Sequence, residues 1–346
     1  MSRASSKKSI KIFARKEYGK SALNYEFFPQ SSTFLDGTVS NEYKRLILRN
    51  NLGIENVAMM EMMKDASLLD TQNYRFFCGY LNGDYYFSGW IMEPYDKNYF
   101  HNNYRTTEEM GTWEVVADYN ETVLDGMLPE KIVFDEIENL ARQDKMNFYD
   151  EFRNKDFQDE AVFETFCEIV DVENMLRYFA AEIYMGNLDW PYNNIKMYRW
   201  YSSESEYEEN KQTDGKWRYL LYDLDYGFAE SYDVRLLNHV YDREEESERY
   251  HEIFSNLMQR EDMKTRFKEI VQELSETAFE PEHACAVIEE AVQFSRAELS
   301  AAMLEENADV PAIMEQLQEL ERSRESMLDF ARKRPKEIKR QLEELL

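Results

Sequence analysis

The sequence predicts an α+β fold in which strands gather in the first 95 or so residues and helices dominate the remainder. Three observations lead there. Residues Tyr74 to Tyr80 and Asp84 to Met92 are apolar-rich runs joined across Asn82-Gly83, the strongest short hairpin signal a sequence offers. From Glu248 onward, apolar residues recur at helical spacing with dense i, i+4 charge pairs. The chain has 346 residues, 43% hydrophobic and 14% aromatic, enough apolar surface for one large core or two lobes.

In chain order, Ser9 to Arg15 alternates as a short strand after a basic start, and Tyr43 to Asn50 reads as a second strand whose apolar centre suggests burial on both faces. Glu55 to Leu69 carries methionine and leucine at helical spacing, and the hairpin follows. After Pro94, Thr106 to Val116 and Lys131 to Tyr149 are expected to be mostly helical, and Asp159 to Met185 to be one long amphipathic helix stopped at Gly186. A loop through Asn194 leads to a strand, Ile195 to Tyr201, then to an acidic insert, Ser202 to Asp214, and another strand, Lys216 to Tyr222. Helices over 250–259, 262–277, 280–306 and 310–346 complete the chain, with an interruption expected near Pro335. The chain reads as a single domain with a strand-rich part over 1–95 and a helical part over 96–346.

Lys and Arg number 41 against 69 Asp and Glu, a formal charge of −28, which opposes nucleic acid and anionic membrane surfaces and favours basic partners. Cys78, Cys167 and Cys285 lie far apart, without metal-type spacing, and are expected as small buried residues. The four histidines are scattered. No apolar run approaches the ~20 residues of a membrane span, and the first residues lack a signal-type apolar region.

Two acidic clusters look built for chemistry. Asp189 and Asn194 lie five apart in the loop after Gly186, the spacing of a kinase catalytic loop, where the aspartate accepts a hydroxyl proton and the asparagine holds a metal. An Asp and an Asn so spaced are ordinarily turn residues satisfying local backbone. About thirty residues on, Asp223-Leu224-Asp225-Tyr226-Gly227 closes an apolar strand, and Asp225-Tyr226-Gly227 is a variant of the kinase Asp-Phe-Gly. Mg²⁺ takes one or two carboxylates plus phosphate oxygens, so a strand-end acid facing a cleft suits it. The order of the features, acid-x4-Asn, apolar strand, Asp-aromatic-Gly, is more specific than either cluster.

These residues carry a resemblance. The chain resembles the CotH protein kinases, named for a bacterial spore-coat protein and similar to secretory-pathway kinases. The matching segments are Ser2-Arg3 and Lys8 to Gly19, Leu46 to Asn50, Asp70 to Arg75, Leu81 to Glu93, Asn187 to Asn194 and Lys216 to Phe228, with Arg334-Pro335 compatible.

The resemblance implies a two-lobed, atypical kinase-like fold with a small strand-rich N-lobe and a larger helical C-lobe. It implies transfer of the γ-phosphoryl group of ATP to serine or threonine with Mg²⁺ or Mn²⁺, and a spore-coat, cell-surface or secreted setting. Asp189 would be catalytic, and Asn194, Asp225 and Asp223 metal ligands. For the cation that grips the phosphates, Lys8, Lys11 and Arg45 all remain open. No Gly-x-Gly-x-x-Gly loop is present, so Arg49 or other backbone would cover the phosphates. Glu93 could pair with the cation or reach the metal. Trp217, or Tyr219 two residues on, could stack on adenine, although aromatics on such a strand usually belong to the core. The expected partner is a basic, serine-rich protein substrate. The alternatives are a coat or surface assembly protein on a kinase-like fold, and a nucleotidyl transferase.

Overall fold

A computed structural model describes residues 7–28, 39–50, 53–64, 69–117, 151–191, 194–201, 211–228, 231–241 and 249–346. The helix expected over 131–149, the acidic stretch 202–210, and Tyr192 and Asn193 lie outside the described residues.

The fold is α+β. A four-stranded antiparallel sheet, in the order β1-β4-β6-β5, forms from β1 (Ile10–Phe13), β4 (Arg45–Arg49), β5 (Tyr74–Leu81) and β6 (Asp84–Met92). Its hairpin turns at Asn82 and Gly83, both at positive φ (54° and 92°), as the Asn-Gly pair requires. The short strands β2 (Leu23–Asn24) and β3 (Glu42–Tyr43) pair with each other beside this sheet. Register sorts the sheet's charges: Lys11 opposes Ile47, Phe13 opposes Arg45, and Arg49 opposes Trp90. Directly opposed and alternate residues share a face, so Lys11, Arg45 and Arg49 all lie on the face that carries Trp90 and Phe76. Strand β4 is less enclosed than expected. Leu46 is buried but Ile47 and Leu48 are only half-buried, although β1 pairs with both.

Helix α1 (Glu55–Met63) buries seven of its nine residues, four of them methionine, between this sheet and the helices that follow. A second, three-stranded sheet, β7-β8-β9, is made by β7 (Thr112–Ala117), β8 (Lys196–Tyr201) and β9 (Arg218–Leu220). Residues 112–117 are thus a strand, not the helix expected. The Val115-Val116 pair favours extended backbone, and Trp113 gains an aromatic cluster with Phe100 of α2 (Lys97–Tyr104), Tyr198 and Trp200.

The helix expected over 159–185 is two, α3 (Glu160–Ile169) and α4 (Val172–Met185). Val170 is extended and bridges Trp217 of the next sheet, while the Asp171 carboxylate accepts from Asn174 N–H at 3.0 Å and starts α4. Beyond β9 come α5 (Leu236–Tyr241), α6 (Arg249–Leu257), α7 (Glu261–Glu276), α8 (Pro281–Ala302) and α9 (Val310–Leu345). Helix α9 runs through Pro335 without the expected break. The neighbouring Arg334, fully buried, fixes the chain there by donating to four carbonyls, those of Ile183, Tyr184, Tyr232 and Val234.

The main core is continuous. It joins Met59, Phe76 and Trp90 of the strand-rich part to Phe179, Phe254, Ile288 and Leu328 of the helical part. Cys78, Cys167 and Cys285 are free and half-buried, more open than expected. Among the described residues, no helix is long and apolar enough to cross a membrane.

Candidate functional site

Helix α4 ends where the sequence expects. Gly186 takes the left-handed conformation (φ 65°), and its N–H caps the carbonyls of Glu182 and Ile183. The chain then turns through Asn187, fully buried, whose side-chain amide donates to the Glu182 carboxyl at 2.9 Å and whose side-chain oxygen accepts from the backbone N–H of Asp189 at 3.3 Å. Trp190 is packed beneath against Tyr178 and Phe179. Asp189 is thereby held half-buried at the tip of a loop whose base is core.

Asn194, also left-handed at φ 67°, donates from one amide nitrogen to the Asp189 carboxylate (2.9 Å) and to the backbone carbonyl of Asp223 (3.3 Å). The local turn function of an Asp and Asn five apart is therefore real here. The same nitrogen also ties the loop to the second acidic cluster. Backbone bonds add to this: Leu188 N–H donates to Tyr226 O (3.2 Å), and Phe228 N–H to Met185 O (2.8 Å).

The second cluster is fixed from the opposite side by α1. Asn56, buried, accepts from Leu224 N–H (3.0 Å) and donates to the Tyr74 hydroxyl (2.8 Å), linking the acidic turn to the N-terminal sheet. Gly227 lies so close to α1 that a Cβ there would meet the end of Met59.

Between the two walls stands Arg49. One of its terminal nitrogens donates to both acids, Asp223 Oδ1 and, at 2.5 Å, Asp225 Oδ2. Burial works against the guanidinium's charge, but Asp225 and Asp223 outweigh it and raise its pKa. A single cation thus bridges two carboxylates and offsets one of their two charges.

Arg45 and Lys11 share a sheet face with Arg49, and Arg45 is ion-paired to Asp96 at 2.5 Å. Lys8 precedes Ser9, whose hydroxyl accepts from Asn50 N–H at the far end of β4. Glu93 is buried one residue past the end of β6, where burial and the nearby Asp96 push its pKa up to about 8. Trp217 is 1% exposed and lies in the core with the Arg199 guanidinium over its ring, while Tyr219 stacks on Tyr178, so neither offers a free face to a base.

Several site residues were not singled out in the sequence. Lys196, two positions past Asn194, lies with its ammonium 3.8 Å from the centroid of the Tyr222 ring. Burial lowers its pKa to about 8, against the pull of Asp223 and Asp96. Asp70, fully buried, accepts from the hydroxyls of Tyr104 and Tyr198 at 2.6 to 2.9 Å and anchors β8 to α2. The position of Lys196 beside the loop is a sequence signal that could have marked it. Asp70 stands in a segment that carries the family resemblance but was given no role, and Asn56 leaves no signal, because its partners Tyr74 and Leu224 are distant in the chain.

Among the described residues no group of three or more His, Cys, Asp or Glu could hold a metal unaided. Two neighbouring carboxylates suit Mg²⁺ or Mn²⁺, which takes phosphate oxygens for its remaining positions, and Arg49 marks the place where positive charge is already accommodated between them. Asp223 and Asp225 would hold such an ion.

A family model described as CotH kinase protein matches residues 1–338. Among curated proteins nothing matches.

Proposed function

The chain belongs to the CotH kinase family, and from that premise we propose that it is an atypical serine/threonine protein kinase, two-lobed in the manner of kinases, transferring the γ-phosphoryl group of ATP to protein hydroxyls. The observation that carries the reading is the convergence of Asp189, Asn194, Asp223 and Asp225, from two loops about thirty residues apart, opposite one cation from the sheet.

Phosphoryl transfer asks little covalent chemistry of a protein, so positioning and electrostatics do most of the work. A bound Mg²⁺ or Mn²⁺ would supply charge neutralisation on the transferring group. Asp223 and Asp225 would hold it, with Asn194 fixing their turn. Asp189 would orient the attacking hydroxyl and take its proton as the new O–P bond forms and the bond to the ADP oxygen breaks. Arg49, released from the carboxylates, would turn to the nucleotide's phosphates. The charge of −28 favours basic, serine-rich substrates.

A second reading has one observation behind it. Arg49 already satisfies both acids, as it would permanently in a coat or surface assembly protein on the same fold. Incubation with ATP labelled at the γ- or the α-phosphate separates the readings. Metal-dependent γ label on protein is expected. The α label on protein would mean nucleotidyl transfer, and no label with no metal-dependent ATP binding would mean a scaffold.

A further inference from the structure

We propose that Lys196 is a second phosphate-binding cation of the cleft, taking an oxygen of the nucleotide's phosphate chain beside Arg49. The inference rests on the kinase reading for the identity of the nucleotide, though not for the existence of the anion site.

Lys196 opens β8 and pairs in register with Leu220, at the end of the strand that runs on into Asp223. It stands two residues beyond Asn194, whose amide bonds both Asp189 and Asp223 O. Its ammonium is half-buried among aromatic faces, 3.8 Å from the Tyr222 centroid and 5.9 Å from that of Tyr95.

The charges around it are already committed. Asp223 and Asp96 are the carboxylates that act on it, and Asp223 is engaged by Arg49 and Asp96 by Arg45. The nearby Lys11 repels it. Among the described residues no carboxylate lies within ion-pair distance of Lys196.

An ammonium withdrawn from water beside carboxylates that are already paired elsewhere is costly, and ring faces offset only part of the cost. If packing against Tyr222 were its whole role, methionine would serve at lower cost. A charge kept in this state beside the acidic pair is suited to an anion that arrives with its own metal, and a phosphate oxygen makes a strong, charge-assisted hydrogen bond of a kind Lys196 does not make among the described residues.

The test is calorimetric titration of the whole chain with inorganic tripolyphosphate in Mg²⁺, for wild type, Lys196→Met and Lys196→Arg, with γ-label transfer scored separately. Lys196→Gln replaces the methionine variant if thermal melting shows that the latter does not fold. Wild type is expected to bind, the neutral variant to bind about tenfold or more weakly, and the arginine variant to recover most of the affinity. Wild type that binds tripolyphosphate but transfers no γ label would support the anion site while removing the kinase reading. A folded neutral variant that binds as wild type does, or wild type that does not bind, would overturn the proposal.

Discussion

Arg49 joins residues 174 and 176 positions away in the chain, and what it does depends on the charge of the cleft. Replacing it by methionine takes from Asp223 and Asp225 the cation they share. In metal-free buffer, Arg49→Met should lose about 2 kcal/mol of stability, read by thermal or urea unfolding, and Mg²⁺ should restore more of it than it adds to wild type. A variant as stable as wild type without metal would show that the pairing contributes nothing. Glu182 makes a different prediction. Burial pushes its carboxyl from an ordinary 4.5 up to about 8, so the folded chain keeps a proton that the unfolded chain releases. The stability this group contributes is full below 4.5 and is lost as the pH rises through about 8. Glu182→Gln should therefore gain melting temperature relative to wild type on going from about pH 5 to about pH 9. A difference that stays constant with pH would contradict the buried, protonated state.

At the level of elements, the loop is supported from beneath by α4 and from the far end of the chain by α9. Arg334 occupies the carbonyls of Ile183 and Tyr184 in the last turn of α4 and those of Tyr232 and Val234 after the second acidic cluster. Arg334→Met would remove the charged donor from all four, leaving Ile183 O with the Gly186 N–H and Val234 O with the Gln341 amide, and a loss of about 2 kcal/mol in urea unfolding is expected, with γ transfer reduced alongside. Much of this level was legible in the sequence. The Gly186 stop, the Asn82-Gly83 hairpin and the helices after residue 260 follow from local chemistry and periodicity. The break at Val170-Asp171, the strand at 112–117 and the uninterrupted passage through Pro335 were not legible. Each is decided by a partner distant in sequence: Trp217 for Val170, the aromatic cluster for Trp113, and the carbonyls held by Arg334 for the helix around Pro335. The site divides in the same way. The acid spacing and order are local, whereas the choice of Arg49 over Lys8, Lys11 and Arg45 as the partner of the acids depends on sheet register.

In the whole molecule, the strand-rich and helical parts share one core, and the C-terminal helices clasp the hairpin. Asn307 donates to Gly83 O at 2.9 Å, and the hydroxyl of Tyr80 reaches Ala302 O. Calorimetry should therefore record one cooperative transition, and two resolved transitions near the boundary at residue 95 would contradict a shared core. This continuity seats the sheet cation and the two acidic loops on one core. The most direct test of the central claim is the division of labour within that setting, measured as Mg²⁺-dependent ATP binding and γ-label transfer for Asp189→Asn and Asp225→Asn. Asp189→Asn should bind Mg²⁺–ATP as wild type does while losing about 100-fold or more in transfer, and Asp225→Asn should lose both. Transfer at the wild-type rate by either variant would contradict the account.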